Sequence, residues 1–291
     1  MHTEIAAGDL TAVIGDNEAY GEHRAGYNGL HSLTSVHDRE NLFADGIAGL
    51  NLEHLLDGRD MPEADEYFEP RRQPMELERL GERSARLDQM ATPTLAVQSL
   101  TTFTLTPPHY VDMEIRVVLR EDRLRFGYLA CFWASYIRAP EDGAMHFPGR
   151  LRDETMGEGW QRLATREHND HSTVCHVAVE PELPNELTSR ESLAYHYSDL
   201  AFTRPFVLGR RGQMVLAMMF DRTDEVRLTH SPTGGGMTDN QANPAWDFQF
   251  VMQDCPVDVE QTLHARVVYK PWVDERDIVQ EFERWDPLVV E

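Results

Sequence analysis

Residues 97–120 constrain the fold more than any other stretch of this chain. Val111, Met113, Ile115, Val117 and Leu119 alternate with Asp112, Glu114, Arg116, Val118 and Arg120. A strand sends successive side chains to opposite faces, so this pattern predicts a ribbon with one buried face and one largely wet face. An amphipathic helix would instead repeat its apolar residues every three or four positions. Upstream, Val97, Leu100, Phe103 and Leu105 lead into the Pro107-Pro108 break. Segment 74–90 alternates on both sides of Gly81, which predicts a hairpin. After the charged turn Glu121-Asp122-Arg123, the stretch 124–137 holds Phe126, Tyr128, Leu129, Phe132, Trp133, Tyr136 and Ile137. That density predicts a central strand buried on both faces.

Further strands are expected at 160–166, 173–179, 204–208, 213–220, 225–230, 246–252 and 261–269. Only the C-terminus reads as a full helix. Asp274 can cap it, and Ile278, Val279, Phe282 and Trp285 fall near helical spacing. A short helix is expected around Arg190–Tyr195. About a dozen short strands separated by turns, with no linker and no repeat, indicate an all-β fold. The expectation is one domain over residues 1–291: a large antiparallel β-sandwich of two packed sheets with a short C-terminal helix.

Charge narrows the function. There are 27 Lys plus Arg against 50 Asp plus Glu, a net charge of −23. A surface of that sign cannot neutralise a phosphate backbone, so nucleic acid is excluded as a partner. With 41% hydrophobic residues the chain has material for a core and is not a disordered acidic tail. Lys270 is the sole lysine among the cations. This pairing of acidity with arginine fits either a salt-adapted, halophilic protein or GC-rich coding, since salt screens self-repulsion. The N-terminus shows no basic and apolar signal pattern, and the longest apolar run, 215–220, is strand-sized. Three cysteines without short spacing suit a reducing compartment. A cytoplasmic protein with no membrane partner is expected. No motif asks for a cofactor, and nothing in the chain fixes an oligomeric state.

Several segments could carry chemistry. Within 166–176, His168, Asp170, His171 and His176 gather between two strand-like runs. An imidazole oriented by a carboxylate is a common general acid or base. The same set could instead ligate a divalent metal in a β-barrel enzyme, or form a polar surface loop. His230 ends a strand before the run Gly234-Gly235-Gly236, which suits a loop beside a cleft or an ordinary long hairpin. In Asn243-Pro244-Ala245-Trp246-Asp247-Phe248-Gln249-Phe250 the aromatics alternate with Asp247 and Gln249. With the aromatic face in the core, Asp247 points either to solvent or into a concave site. Arg72, stiffened between prolines, could grip a carboxylate or hydroxyls, or pair with a neighbouring acid. His109 and Tyr110 offer a base and acid pair, and Trp133 a surface for stacking on a sugar, unless it lies in the core. Histidines in 27–37 and in Asn51-Leu52-Glu53-His54 are noted without a place in the fold.

The early Asn28-Gly29, the long set of antiparallel strands, the central histidines and the late Asn243-Pro244-x-x-Asp247-Phe248 strand resemble the galactose-mutarotase-like superfamily. That resemblance implies a β-supersandwich and a small-molecule carbohydrate as partner. It implies His168 or His176 as general acid, with His230 as an alternative, while no Glu of this chain matches the family's base. Related lyases abstract a proton next to a uronate carboxylate and need a neutralising cation, for which Arg72 is available. Segments 27–31, 41–52, 68–75, 139–147 and 243–248 are also similar to a family of hypothetical proteins without assigned function. The resulting expectation is an epimerase, lyase or hydrolase working by His-based acid and base chemistry on a sugar or uronate. The alternatives are a carbohydrate-binding protein without chemistry and the metal-dependent enzyme. Substrate contacts are expected from Arg72, Tyr110, Trp133, Asn243, Trp246 and Asp247.

Overall fold

The alternating ribbon of residues 97–119 becomes two long paired strands in the computed structural model, which describes residues 1–155, 157–188, 192–232 and 243–285. The chain begins with β1 (His2–Ala7), β2 (Leu10–Gly15) and β3 (Gly29–Ser35), which form a small sheet of their own. Then come β4 (Asn51–Leu56) and two single-turn helices, α1 (Ala64–Tyr67) and α2 (Glu69–Arg72). The hairpin around Gly81 is β5 (Glu76–Arg79) and β6 (Ser84–Gln89), followed by β7 (Val97–Thr106), β8 (Tyr110–Leu119) and β9 (Tyr128–Ala134). Next are β10 (Met145–Leu151), β11 (Gly159–Leu163), β12 (Thr173–His176) and β13 (Tyr197–Phe202). The remainder is β14 (Phe206–Arg211), β15 (Met214–Phe220), β16 (Val226–Ser231), β17 (Ala245–Gln253), β18 (Glu260–Pro271) and α3 (Glu275–Trp285).

From β4 onward all strands join one 15-stranded sheet, in the order β4-β9-β17-β16-β12-β13-β10-β14-β15-β18-β8-β7-β6-β5, with β11 on β10. Every pairing is antiparallel except β12 with β13. The sheet bends over on itself. Phe220 of β15 and Phe248 of β17 are far apart in strand order, yet their rings meet at 4.8 Å. Gly209 of β14 is glycine because a Cβ there would fall 2.1 Å from the Trp246 ring of β17. Two packed layers result, and no barrel closes, since β4 and β5 remain as ends. The fold is all-β, a large β-sandwich with a C-terminal helix, as the alternation predicts.

The core lies between the layers. Trp133 stacks flat on Phe248, and Trp246, Phe147, Phe202 and Phe220 fill the rest. A second, smaller core on the outer face of β14, β15 and β18 is covered by α3 through Ile278 and Phe282. Asp274 caps that helix as expected, its Oδ1 accepting the Asp277 N–H at 2.8 Å. Lys270, the one lysine, donates to Asp277 and Glu281 and ties α3 to β18. The strand expected at 173–179 stops at His176, and that at 204–208 starts at Phe206. The helix expected around Arg190–Tyr195 is a single 3₁₀ turn, Leu193–Tyr195, and Arg190 and Glu191 lie outside the described residues. No helix among the described residues is long and apolar enough to cross a membrane.

Candidate functional site

Strand alternation decides which side chains can share a site. Phe248 pairs with Trp133 and Gln249 with Phe132, so the register sets Asp247 opposite Ala134. Asp247 and Gln249 therefore face away from the aromatic interior, and yet both are buried. Thr229 lies opposite Asp247, Arg227 opposite Gln249, and Thr173 opposite Thr229. On the other flank Asn51 pairs with Ala134 and His54 with Phe132. One face of β4, β9, β17, β16 and β12 thus carries a buried polar surface, a pattern expected of a ligand site more than of a core.

Its centre is at β4. The register slips between Leu52 and His54, so Glu53 occupies a bulge. A bulge adds one residue to the strand and re-aims its side chain. Glu53 turns to Arg71, whose Nη1 lies 2.6 Å from its Oε1. The Tyr136 hydroxyl donates to the same carboxylate at 2.8 and 2.9 Å. Arg71 also donates through Nε to the Gly26 carbonyl and lies 3.7 Å above the Tyr27 ring. Burial works to lower this guanidinium, but the facing Glu53, with Tyr136 and Tyr27, leaves it raised. His54 Nδ1 lies 2.7 Å from the Tyr67 carbonyl. A carbonyl can only accept, which puts the proton on Nδ1 and sets Nε2 toward Glu53 at 4.0 Å.

The sequence positions these groups through amide clamps. Asn28 Nδ2 donates to the Leu52 carbonyl while its Oδ1 accepts the Leu52 N–H, holding β4 beside the bulge. Asn17 Nδ2 reaches the carbonyls of Pro70 and Gln73 and fixes the α2 turn. Pro70 lies in the first turn of α2, where its missing N–H costs nothing. Gly29 holds φ at +98°, with its Cα so near Leu50 that a Cβ would fall 2.2 Å from the carbonyl oxygen. Outside Arg71 a cleft of about 370 Å³ opens, lined by Asp16, Asn17, Gly26, Arg72 and Pro74 among others.

Asp247 differs from Glu53 in having no cation beside it among the described residues. Its Oδ1 accepts the Ser135 N–H at 2.9 Å. Burial pushes its carboxyl well above the ordinary carboxylate range, the Ser135 bond pulls the other way, and the Glu53 charge adds to the rise. Asp247 therefore holds a proton under conditions where ordinary aspartates have lost theirs. Nearby, Gln249 Nε2 donates to Thr229 Oγ1 at 2.9 Å. Asn51 is fully buried, and neither of its amide atoms has a hydrogen-bond partner among the described residues.

The residues singled out from sequence do not all come here. Asp247 does. Arg72 points outward to Asp65 at 3.1 Å, and its neighbour Arg71 takes the inward position. His230 pairs with Trp246 and so faces the interior. Its Nδ1 accepts from Thr165, its Nε2 donates to the Gly143 carbonyl at 2.9 Å, and burial lowers its pKa. Trp246 donates to that same carbonyl. Trp133 and Trp246 are core, so neither offers a stacking platform. Tyr110 lies under α3 on the opposite surface, donating to Glu281 at 2.7 Å. Asn243 precedes β17 and accepts the Ala139 N–H. His168 and Asp170 sit in an exposed turn before β12, and His176 ends that strand half-buried, its pKa lowered by burial. His171 instead bonds to the Tyr197 carbonyl at 2.9 Å. Among the described residues no three His, Cys, Asp or Glu side chains are grouped to hold a metal ion. The run Gly234-Gly235-Gly236 lies outside the described residues. Sequence reasoning missed Glu53, Arg71 and Tyr136 as a set, because a bulge and a single helical turn leave no periodic signal.

No protein-family model and no curated protein sequence matches the chain. Among solved structures it is similar to an Escherichia coli K12 protein provisionally named an aldose 1-epimerase, with TM-score 0.51 and 8% identity over 94% of this chain and 99% of that one. The fold is galactose-mutarotase-like. A 4-alpha-glucanotransferase from Thermococcus litoralis superposes with TM-score 0.49 and 11% identity, over 93% of this chain and 37% of that one. A heparan sulfate lyase from Pedobacter heparinus gives TM-score 0.46 and 11% identity, over 91% and 34%. In the galactose-mutarotase-like sandwich of this chain, the polar face described above is the outer face of the half that begins at β4.

Proposed function

We propose that this protein is a carbohydrate-active enzyme that binds a sugar against the polar face of β4, β9, β17 and β16 and moves protons at its anomeric centre. The observation that carries the reading is the contrast between two buried carboxyls on that face. Glu53 has a cation and a phenol beside it, and among the described residues Asp247 is bonded to neither. A carboxyl raised by burial can donate a proton, and a carboxylate held beside a cation can accept one. Asp247 donates its proton to the ring oxygen while Glu53 takes the anomeric hydroxyl proton. The bond between C1 and the ring oxygen breaks, leaving an open-chain aldehyde that can reclose on either face. Arg71 balances Glu53, and the Tyr136 hydroxyl holds its orientation. The acid role sits on Asp247 because His230 faces the opposite way.

Magnetisation-transfer NMR on a panel of reducing sugars tests this by reading anomer exchange above the spontaneous rate. Asp247→Asn and Glu53→Gln are each expected to lower exchange by about 10²-fold or more. Unchanged exchange in both variants, or no sugar accelerated by the wild type, would overturn the proposal.

A further inference from the structure

In a chain with 23 excess negative charges, a guanidinium has acids on every side. Most described arginines indeed pair with a carboxylate. Among those that do not, three have buried guanidinium nitrogens. Arg150, Arg152 and Arg227 have no carboxylate oxygen within 4.0 Å among the described residues. Arg227 is 2% exposed, and Nε of Arg150 and both Nε and Nη2 of Arg152 are buried without a hydrogen-bond partner among the described residues. Buried cationic N–H groups left empty carry a desolvation cost that no described residue offsets.

The register sets the three along one face of the sheet. Across the sheet, Gln249 pairs with Arg227, Arg227 with Cys175, Cys175 with Ala201 and Ala201 with Arg150. Cross-strand partners point to one face, so Arg227 and Arg150 share the face that carries Asp247. Arg152 follows Arg150 by two residues. Arg152 and Arg227 then grip the same segment, donating to the carbonyls of Val179 at 3.0 Å and Pro181 at 2.6 Å. Their charges also act together on the Cys175 thiol, opposing the rise that its burial causes. Along β16, Arg227 stands two residues from Thr229, the partner of Asp247. That is about 7 Å of strand, a separation that a pyranose bearing a charged substituent can bridge.

We infer that Arg227, Arg152 and Arg150 form an oxyanion subsite, so that the sugar of the proposed reaction carries a phosphate, sulfonate or carboxylate remote from its anomeric carbon. The inference rests on the reading of Asp247 and Glu53 as the reacting end of the same site. Guanidinium forks match such groups in two-point contact, and a neutral sugar would leave them empty.

Two measurements test it. The first needs no substrate: inorganic phosphate or sulfate, compared with chloride at equal ionic strength, is expected to raise the melting temperature of the full chain. Arg152→Met and Arg150→Met are expected to abolish that rise, and Arg152→Lys to keep part of it. The second compares a neutral hexose with its 6-phosphate and its uronate. At least one charged sugar is expected to exceed the neutral one in kcat/KM by tenfold or more, and Arg152→Met to reduce that ratio at least tenfold, mainly through KM. Which charged sugar leads identifies the group. No anion-specific stabilisation, together with turnover indifferent to sugar charge, would overturn the subsite and leave the acid and base reading standing. No turnover and no binding of any sugar would overturn both.

Discussion

Replacing Asp247 by Asn should make the protein more stable near neutral pH while removing its activity. The two side chains have nearly the same shape, and Asn keeps an oxygen for the Ser135 N–H that Asp247 Oδ1 accepts at 2.9 Å. What changes is the proton. Burial raises the folded carboxyl well above its ordinary value of 3.8. Between those two values the folded state holds a proton that the unfolded chain has released. Stability then falls as pH rises, by up to about 1.4 kcal/mol per pH unit, until the folded group ionises. Below the ordinary value both states are protonated and the effect vanishes. The Asn variant lacks this slope. Urea unfolding of both proteins at pH 4, 5, 6, 7 and 8 isolates it, because the many other carboxylates cancel in the difference. The wild type should lose ground to the variant at each step above pH 4, and the gap should level off only once the folded carboxyl has ionised. A difference that is flat across this range, or that grows in favour of the wild type, would refute the reasoning that Asp247 is a buried, protonated acid.

Three further substitutions probe the scaffold around it. Arg71→Met leaves Glu53 buried without its cation and should cost about 3–5 kcal/mol in chemical unfolding, whereas Arg72→Ala, at a largely exposed pair, should cost less than about 1 kcal/mol. Equal effects would mean that the inward and outward arginines are misassigned. Gly29→Ala introduces a Cβ at 2.2 Å from the Leu50 carbonyl in left-handed backbone, and should destabilise by about 1–3 kcal/mol and weaken sugar binding, read by calorimetry. Lys270→Met removes the cation between Asp277 and Glu281, so hydrogen exchange in α3 should quicken at least tenfold while exchange in β16 and β17 stays as it was.

What the sequence revealed follows from where its signal is periodic. The alternation in 111–119 gave β8 because a strand repeats every two residues, and the unbroken apolar density of 124–137 gave β9, whose seven residues are all buried. The capped C-terminal helix was equally clear. The short N-terminal strands were not, since six or seven residues each leave little room for a period to show. For the site, Asp247 was legible: Trp246, Phe248 and Phe250 had to face the core, so Asp247 had to face elsewhere. Arg71 was not distinguishable from Arg72, because successive residues of one helical turn differ by direction alone. Glu53 was invisible as a candidate, since its direction depends on a one-residue slip against β9. The histidines drew attention as residue types, but His230 is fully satisfied as a neutral ring by Thr165 and Gly143.

The strongest ground for placing function on this face is that the face works against folding. An apolar row at Asn51, Asp247 and Gln249 would pack as the opposite face of the same strands does. Among the described residues the chain instead buries an amide with both ends unpartnered, a carboxyl without a counter-ion and an arginine row without acids. Each such group costs on the order of 1–3 kcal/mol. Replacing buried polar groups by apolar ones is often neutral or stabilising, so stability alone does not account for keeping them. A chain whose surface already supplies its solubility has no need of polarity inside. The groups share one face, and the bulge at Glu53 aims one more acid among them. A bound sugar with hydroxyls for Asn51, a proton path between Asp247 and Glu53, and an oxyanion for the arginines would satisfy all of them at once.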